Sequence, residues 1–103
     1  MAKNKPTDND ANATVDEPLS VLVVDDEPAH AEVVAASLER IQARCEIARS
    51  AKEAIELIAR EYFEVVVTDL MLETNDGGIR LLKEVKRESP ETEVVLIDRK
   101  SVV

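Results

Sequence analysis

Two short apolar runs, each closed by aspartate, constrain this chain more than any other feature. Val21-Leu22-Val23-Val24 runs into Asp25-Asp26, and Val65-Val66-Val67-Thr68 runs into Asp69. Unbroken β-branched runs of this kind suit strands covered on both faces, as in a parallel sheet flanked by helices. Between them the period becomes helical, with Ala31, Val34, Leu38 and Ile41 spaced along one face. Cys45-Glu46-Ile47-Ala48 alternates as an outer strand does, and Ser50-Ala51-Lys52-Glu53 has the spacing of a capping box that starts a second helix. Its core face is expected to carry Ala54, Leu57, Ile58 and Ala51.

Thr74-Asn75-Asp76-Gly77-Gly78 reads as a turn, followed by a third helix with Ile79, Leu82 and Val85 on its face and an end before Pro90. Val94-Val95-Leu96-Ile97 is a fourth strand. Parallel strands need helical crossovers of one hand, so the order β-α-β-α-β-α-β predicts a doubly wound α/β sheet. Such sheets bind ligands beyond the carboxyl ends of their strands, where strand order reverses. The acids stand at those ends.

At 103 residues the chain holds one domain, without room for a second. Residues 1–18 carry almost nothing to bury and are expected to form a flexible tail, leaving 19–103 as the folded unit. A net charge of -9 without a cluster of Lys and Arg argues against nucleic-acid contacts by this segment. No apolar run approaches the length of a membrane span and no signal peptide is evident, so the cytoplasm is expected. Cys45 is read as a small buried residue on its strand, and His30 as an exposed surface residue.

If the two Asp-terminated strands are neighbours, Asp25, Asp26 and Asp69 converge. Their mutual repulsion is relieved by proton uptake or by a bound cation, and oxygen ligands at a partly open site favour Mg²⁺. Carboxylate-held metals serve phosphoryl transfer, in which a carboxylate can itself be the nucleophile. Asp69, alone at its strand end, is the candidate. The plainer reading is that Asp25 and Asp26 cap a helix beginning at Asp26-Glu27-Pro28.

Leu22-Val23-Val24-Asp25-Asp26-Glu27, Val67-Thr68-Asp69-Leu70-Met71 and Val94-Val95-Leu96-Ile97 resemble, in order and spacing, the leading motifs of two-component response-regulator receiver domains. The resemblance covers about residues 20–98 and implies a flavodoxin-like receiver fold. It also implies a phosphoacceptor at Asp69, with Mg²⁺ held by Asp25, Asp26, Asp69 and the backbone carbonyl of Met71. The implied partner is a sensor histidine kinase or a phosphotransfer protein. Such a domain is a substrate with self-phosphorylation and slow hydrolysis, not a turnover enzyme.

Two features depart from the family pattern. Asp98 stands where receivers carry Thr or Ser, and its carboxylate would repel phosphoryl oxygens; Arg99 and Lys100 are the nearest cations. The chain also closes at Val103, before the family's fifth strand, its lysine and the flanking helices, so a C-terminally truncated receiver is expected. Strand four would then be an apolar edge open to a partner or a second copy. The alternative function is a degenerate receiver that binds proteins without phosphorylation. An aspartate-based phosphatase is disfavoured because Asp69-Leu70-Met71 lacks a second acid two residues on.

Overall fold

The computed structural model describes residues 17–98. Most of the expected tail, and Arg99 and Lys100, lie outside the described residues. The elements follow in strict alternation: β1 (Ser20–Val24), α1 (Pro28–Glu39), β2 (Arg44–Ala48), α2 (Ala51–Arg60), β3 (Val65–Asp69), α3 (Gly77–Glu88) and β4 (Glu93–Ile97). The strands form one parallel sheet in the order β2-β1-β3-β4. From β1 the chain steps to β2 on one side, then returns past β1 to β3 on the other. The crevice between the carboxyl ends of β1 and β3 is therefore the reversal point that doubly wound sheets use for ligands.

Side chains of successive strand residues point to opposite faces, which is why both inner strands are apolar throughout. On one face Leu22, Val24 and Val66 pack with Ala54, Ile58 and Val85 of α2 and α3. On the other, Val21, Val23 and Val67 pack with Ala31 and Ala35 of α1. Buried Thr92 anchors the start of β4, donating to the Phe63 carbonyl at 2.7 Å and sharing a hydrogen bond with Ser89. Lys86 of α3 also works here. Its Nζ donates to the carbonyls of Pro90 at 3.0 Å and Thr92 at 2.8 Å.

The α2 start matches its sequence signal. Ser50 Oγ accepts the Glu53 N–H at 3.0 Å, and Glu53 returns its carboxylate to the Arg49 N–H at 2.9 Å, one residue earlier than a capping box requires. Ala54, Leu57 and Ile58 are buried, with Ala51 packed beside them.

The other two helical faces are shifted from expectation. Along α1 the fully buried residues are Ala31 and Ala35, Val34 and Leu38 are half-buried, and Ile41 is 70% exposed. α1 ends at Glu39, so Ile41 lies past the helix and off its buried face, and Gln42 then turns the chain through the left-handed region at φ 69°. Along α3 the buried residues are Gly78, Leu81 and Val85, while Ile79 is exposed and Leu82 half-buried. The face is set by the glycine that must pass the backbone of β3. Cys45 is half-buried on the β2 edge, where burial and the nearby Glu39 raise its thiol pKa. Among the described residues β4 is the opposite edge and exposes Val95 and Leu96.

Candidate functional site

Asp25 directly follows β1, and its N–H still donates to the Ala48 carbonyl of β2 at 3.0 Å, so the sheet ladder fixes its backbone. Asp69 is the last residue of β3, in register with Ile97 of β4. Both carboxylates are buried, at 3% exposure each, whereas Asp26 is exposed. One carboxylate oxygen from each of Asp25, Asp26 and Asp69 can be chosen so that all three lie within 4.8 Å of one another. The convergence expected from two Asp-terminated neighbouring strands is therefore present.

The buried acids are held by local hydrogen bonds. Asp25 Oδ1 accepts the Glu27 N–H at 2.9 Å, and Asp69 Oδ1 accepts the Met71 N–H at 3.2 Å. The first bond is not the helix cap that the plainer reading expected: it takes the N–H of Glu27, the residue before α1, and no side chain caps the helix, which Pro28 opens at its first position.

His30 differs from its expectation as an exposed bystander. Lying in the first turn of α1, it brings Nδ1 against Asp25 Oδ2, and its side chain is only 27% exposed. The signal was its position five residues after Asp25, but nothing in the sequence showed that α1 would fold its first turn back over that carboxylate.

The link from β3 to α3 borders the site on its other side. Gly78 donates its N–H to the Leu70 carbonyl at 2.8 Å, and a Cβ added there would lie 2.7 Å from Leu70 Cα and closer still to the Asp69 carbonyl. A Cβ on Gly77 would likewise collide with the Leu72 backbone. Neither glycine has positive φ, and both belong to the helix, not the turn. Their role is close approach. The residue in the left-handed region is Glu73 at φ 63°, whose side chain accepts the Ala51 N–H at 3.1 Å and so ties the loop to the start of α2. Asp98 is exposed one position past Ile97 and is not among the three gathered acids.

The donor set is all oxygen, two of its three members are buried, and its formal charge is negative. These properties suit a hard divalent cation that keeps part of its water shell.

Comparison with known proteins agrees with the fold. The profile of the response regulator receiver domain matches residues 21–102. The response regulator protein PilR of Pseudomonas aeruginosa is 38% identical over 76 residues, covering 74% of this chain and 17% of PilR. The transcriptional regulatory protein ZraR of Escherichia coli is 31% identical over 85 residues, covering 82% of this chain and 19% of ZraR. The chain thus spans less than a fifth of either relative, and its acidic charge speaks for this segment alone. A response regulator from Burkholderia pseudomallei, crystallised with a phosphorylated aspartic acid, calcium ion and citrate, superposes with a TM-score of 0.72 at 28% identity, covering 82% of this chain and 49% of that one. Among the described residues no helix is long and apolar enough to cross a membrane. A matching profile across most of the chain, a four-stranded parallel sheet and an acidic crevice at its reversal point place this chain in the response regulator receiver domain family.

Proposed function

We propose that Asp69 is the phosphoryl-accepting residue of this receiver domain, and that Asp25, Asp26, Asp69 and the backbone carbonyl of Met71 hold Mg²⁺ beside it. The observation that carries the proposal is the gathering of the three carboxylates within 4.8 Å at the sheet's reversal point. The Burkholderia pseudomallei relative, with a phosphorylated aspartate and a divalent cation, supports it by similarity.

When bound, the cation offsets negative charge on the incoming phosphoryl group. The chain's own residues do the rest. The Met71 N–H holds the Asp69 carboxylate in one orientation. One Asp69 oxygen forms a bond to phosphorus as the bond from phosphorus to the donor's imidazole nitrogen breaks, and the donor leaves with that electron pair. The product is a mixed anhydride, which water returns to carboxylate and phosphate. The donor is a histidine kinase or phosphotransfer protein, and the same chemistry with a small-molecule donor gives self-phosphorylation.

Asp98 sets the character of the response. It supplies no hydroxyl to a phosphoryl oxygen and adds negative charge at the same end of the sheet. Phosphorylation here is therefore expected to be slower than in a receiver with Thr or Ser at that position. The test is fluorine NMR of the chain with beryllofluoride, a phosphoryl mimic that binds aspartate. Bound signals that need both Mg²⁺ and Asp69, and vanish in Asp69→Asn, are expected. Bound signals that persist in Asp69→Asn would assign the site elsewhere.

A further inference from the structure

Beyond the three acids, the side chain that the proposed chemistry does not use yet touches its machinery is His30. Asp25 is gripped at both oxygens from the start of α1: Oδ1 accepts the N–H of Glu27, just before the helix, at 2.9 Å, and Oδ2 meets Nδ1 of His30 in its first turn. With a proton on Nδ1 the imidazole donates to this oxygen, the direction in which a carboxylate can accept. The Asp25 side chain is 4% exposed, so its orientation is set by protein groups, these two among them, and not by water.

We infer that His30 is a positioning residue for the cation site, fixing the Asp25 carboxylate from outside the metal's own ligand shell. The inference rests on the reading that Asp25 helps to hold Mg²⁺. Carboxylates that bind metals are themselves held by hydrogen bonds, and losing such an outer partner weakens metal binding even though no ligand is removed. Rotation of the Asp25 carboxylate would break the His30 contact and the Glu27 bond together. The grip therefore holds the orientation seen here, in which an Asp25 oxygen lies within 4.8 Å of an oxygen of Asp26 and of Asp69. A carboxylate oxygen can accept more than one contact, so a hydrogen bond to Asp25 does not by itself exclude a cation.

The test is a Mg²⁺ titration of the unphosphorylated chain followed by amide NMR, reading the Glu27 and Met71 N–H signals, for the wild type, His30→Ala and His30→Asn. An asparagine amide nitrogen can occupy the place of Nδ1 and donate in the same direction. The expected result is a dissociation constant raised about tenfold in His30→Ala and restored to near the wild-type value in His30→Asn. The unfolding temperatures of the three without metal should be similar, which a merely structural role for His30 would not give. Unchanged or tighter Mg²⁺ binding in His30→Ala would overturn the assignment while leaving the cation site standing. A wild-type chain that takes up no Mg²⁺ would overturn the cation site and the role of His30 with it.

Discussion

The links after β1 and β3 start from the same local sequence, an apolar strand ended by aspartate, and become different devices. After β1 only Asp25, Asp26 and Glu27 precede α1, and Pro28 fixes the helix start. The carboxylate of Asp25 is clasped by the helix it introduces. After β3 the residues Leu70–Asp76 intervene before α3, with Leu72 fully buried and Glu73 in the left-handed region. Here glycines let the helix start press against the strand end, and the aspartate is met by the amide of its own loop. The short link suits an acid that must stay still. The long one holds its acid by an amide of the loop and not by the helix that follows. Strand-end aspartates thus take their roles from the length and stiffness of the link to the next helix.

If the long link depends on close backbone approach, Gly78→Val should be severely damaging. Its Cβ would meet the Asp69 carbonyl and Leu70 backbone, neither of which can swing aside as a side chain can. A loss of about 3 kcal/mol or more in urea unfolding is expected, and a loss near zero would show that α3 is free to shift. Leu72→Ala should come next at about 3 kcal/mol, because a fully buried leucine is replaced by a cavity beneath the loop. Pro28→Ala tests the short link, where about 0.5 kcal/mol is expected through greater freedom of the unfolded chain. A loss as large as that of Leu72→Ala would erase the contrast between a local and a packed junction.

A control away from both links gives the smallest effect. On the outer strand β2, partial desolvation raises the Glu46 pKa, and the neighbouring Glu61 adds to the shift. A carboxyl whose folded pKa exceeds its unfolded value favours the fold while protonated, and this contribution is lost as pH rises through the folded pKa. Glu46→Gln should therefore stabilise the chain at neutral pH and lose that advantage in acid. Because Glu46 is exposed, solvent screening limits the gain to about 0.5 kcal/mol or less. Urea midpoints of both proteins across the carboxylate titration range would show it.

The sheet was legible because fully covered strands announce themselves as continuous apolar runs, and Val21–Val24 and Val65–Val67 could hardly be anything else. The convergence of Asp25, Asp26 and Asp69 came from topology alone. Helix faces were less legible. Alanine and glycine carry little hydrophobic signal, so Ala35 and Gly78, which are buried, were outvoted by Ile41 and Ile79, which are exposed. The tie between His30 and Asp25 was hidden for another reason: it depends on the angle at which α1 leaves the sheet, and that angle is set by packing on Val21 and Val23. Likewise the left-handed turn fell on Glu73 and not on either glycine, because the glycines were already committed to close approach.

The most direct test of the central claim, that Asp69 accepts a phosphoryl group with cation help, is the intact mass of the folded chain after exposure to a small-molecule phosphodonor. It should be run with and without Mg²⁺ and beside Asp69→Asn. A single phosphoryl adduct that requires Mg²⁺ and disappears in Asp69→Asn is the expected result. An adduct that survives in Asp69→Asn, or a folded chain that takes none, would contradict it.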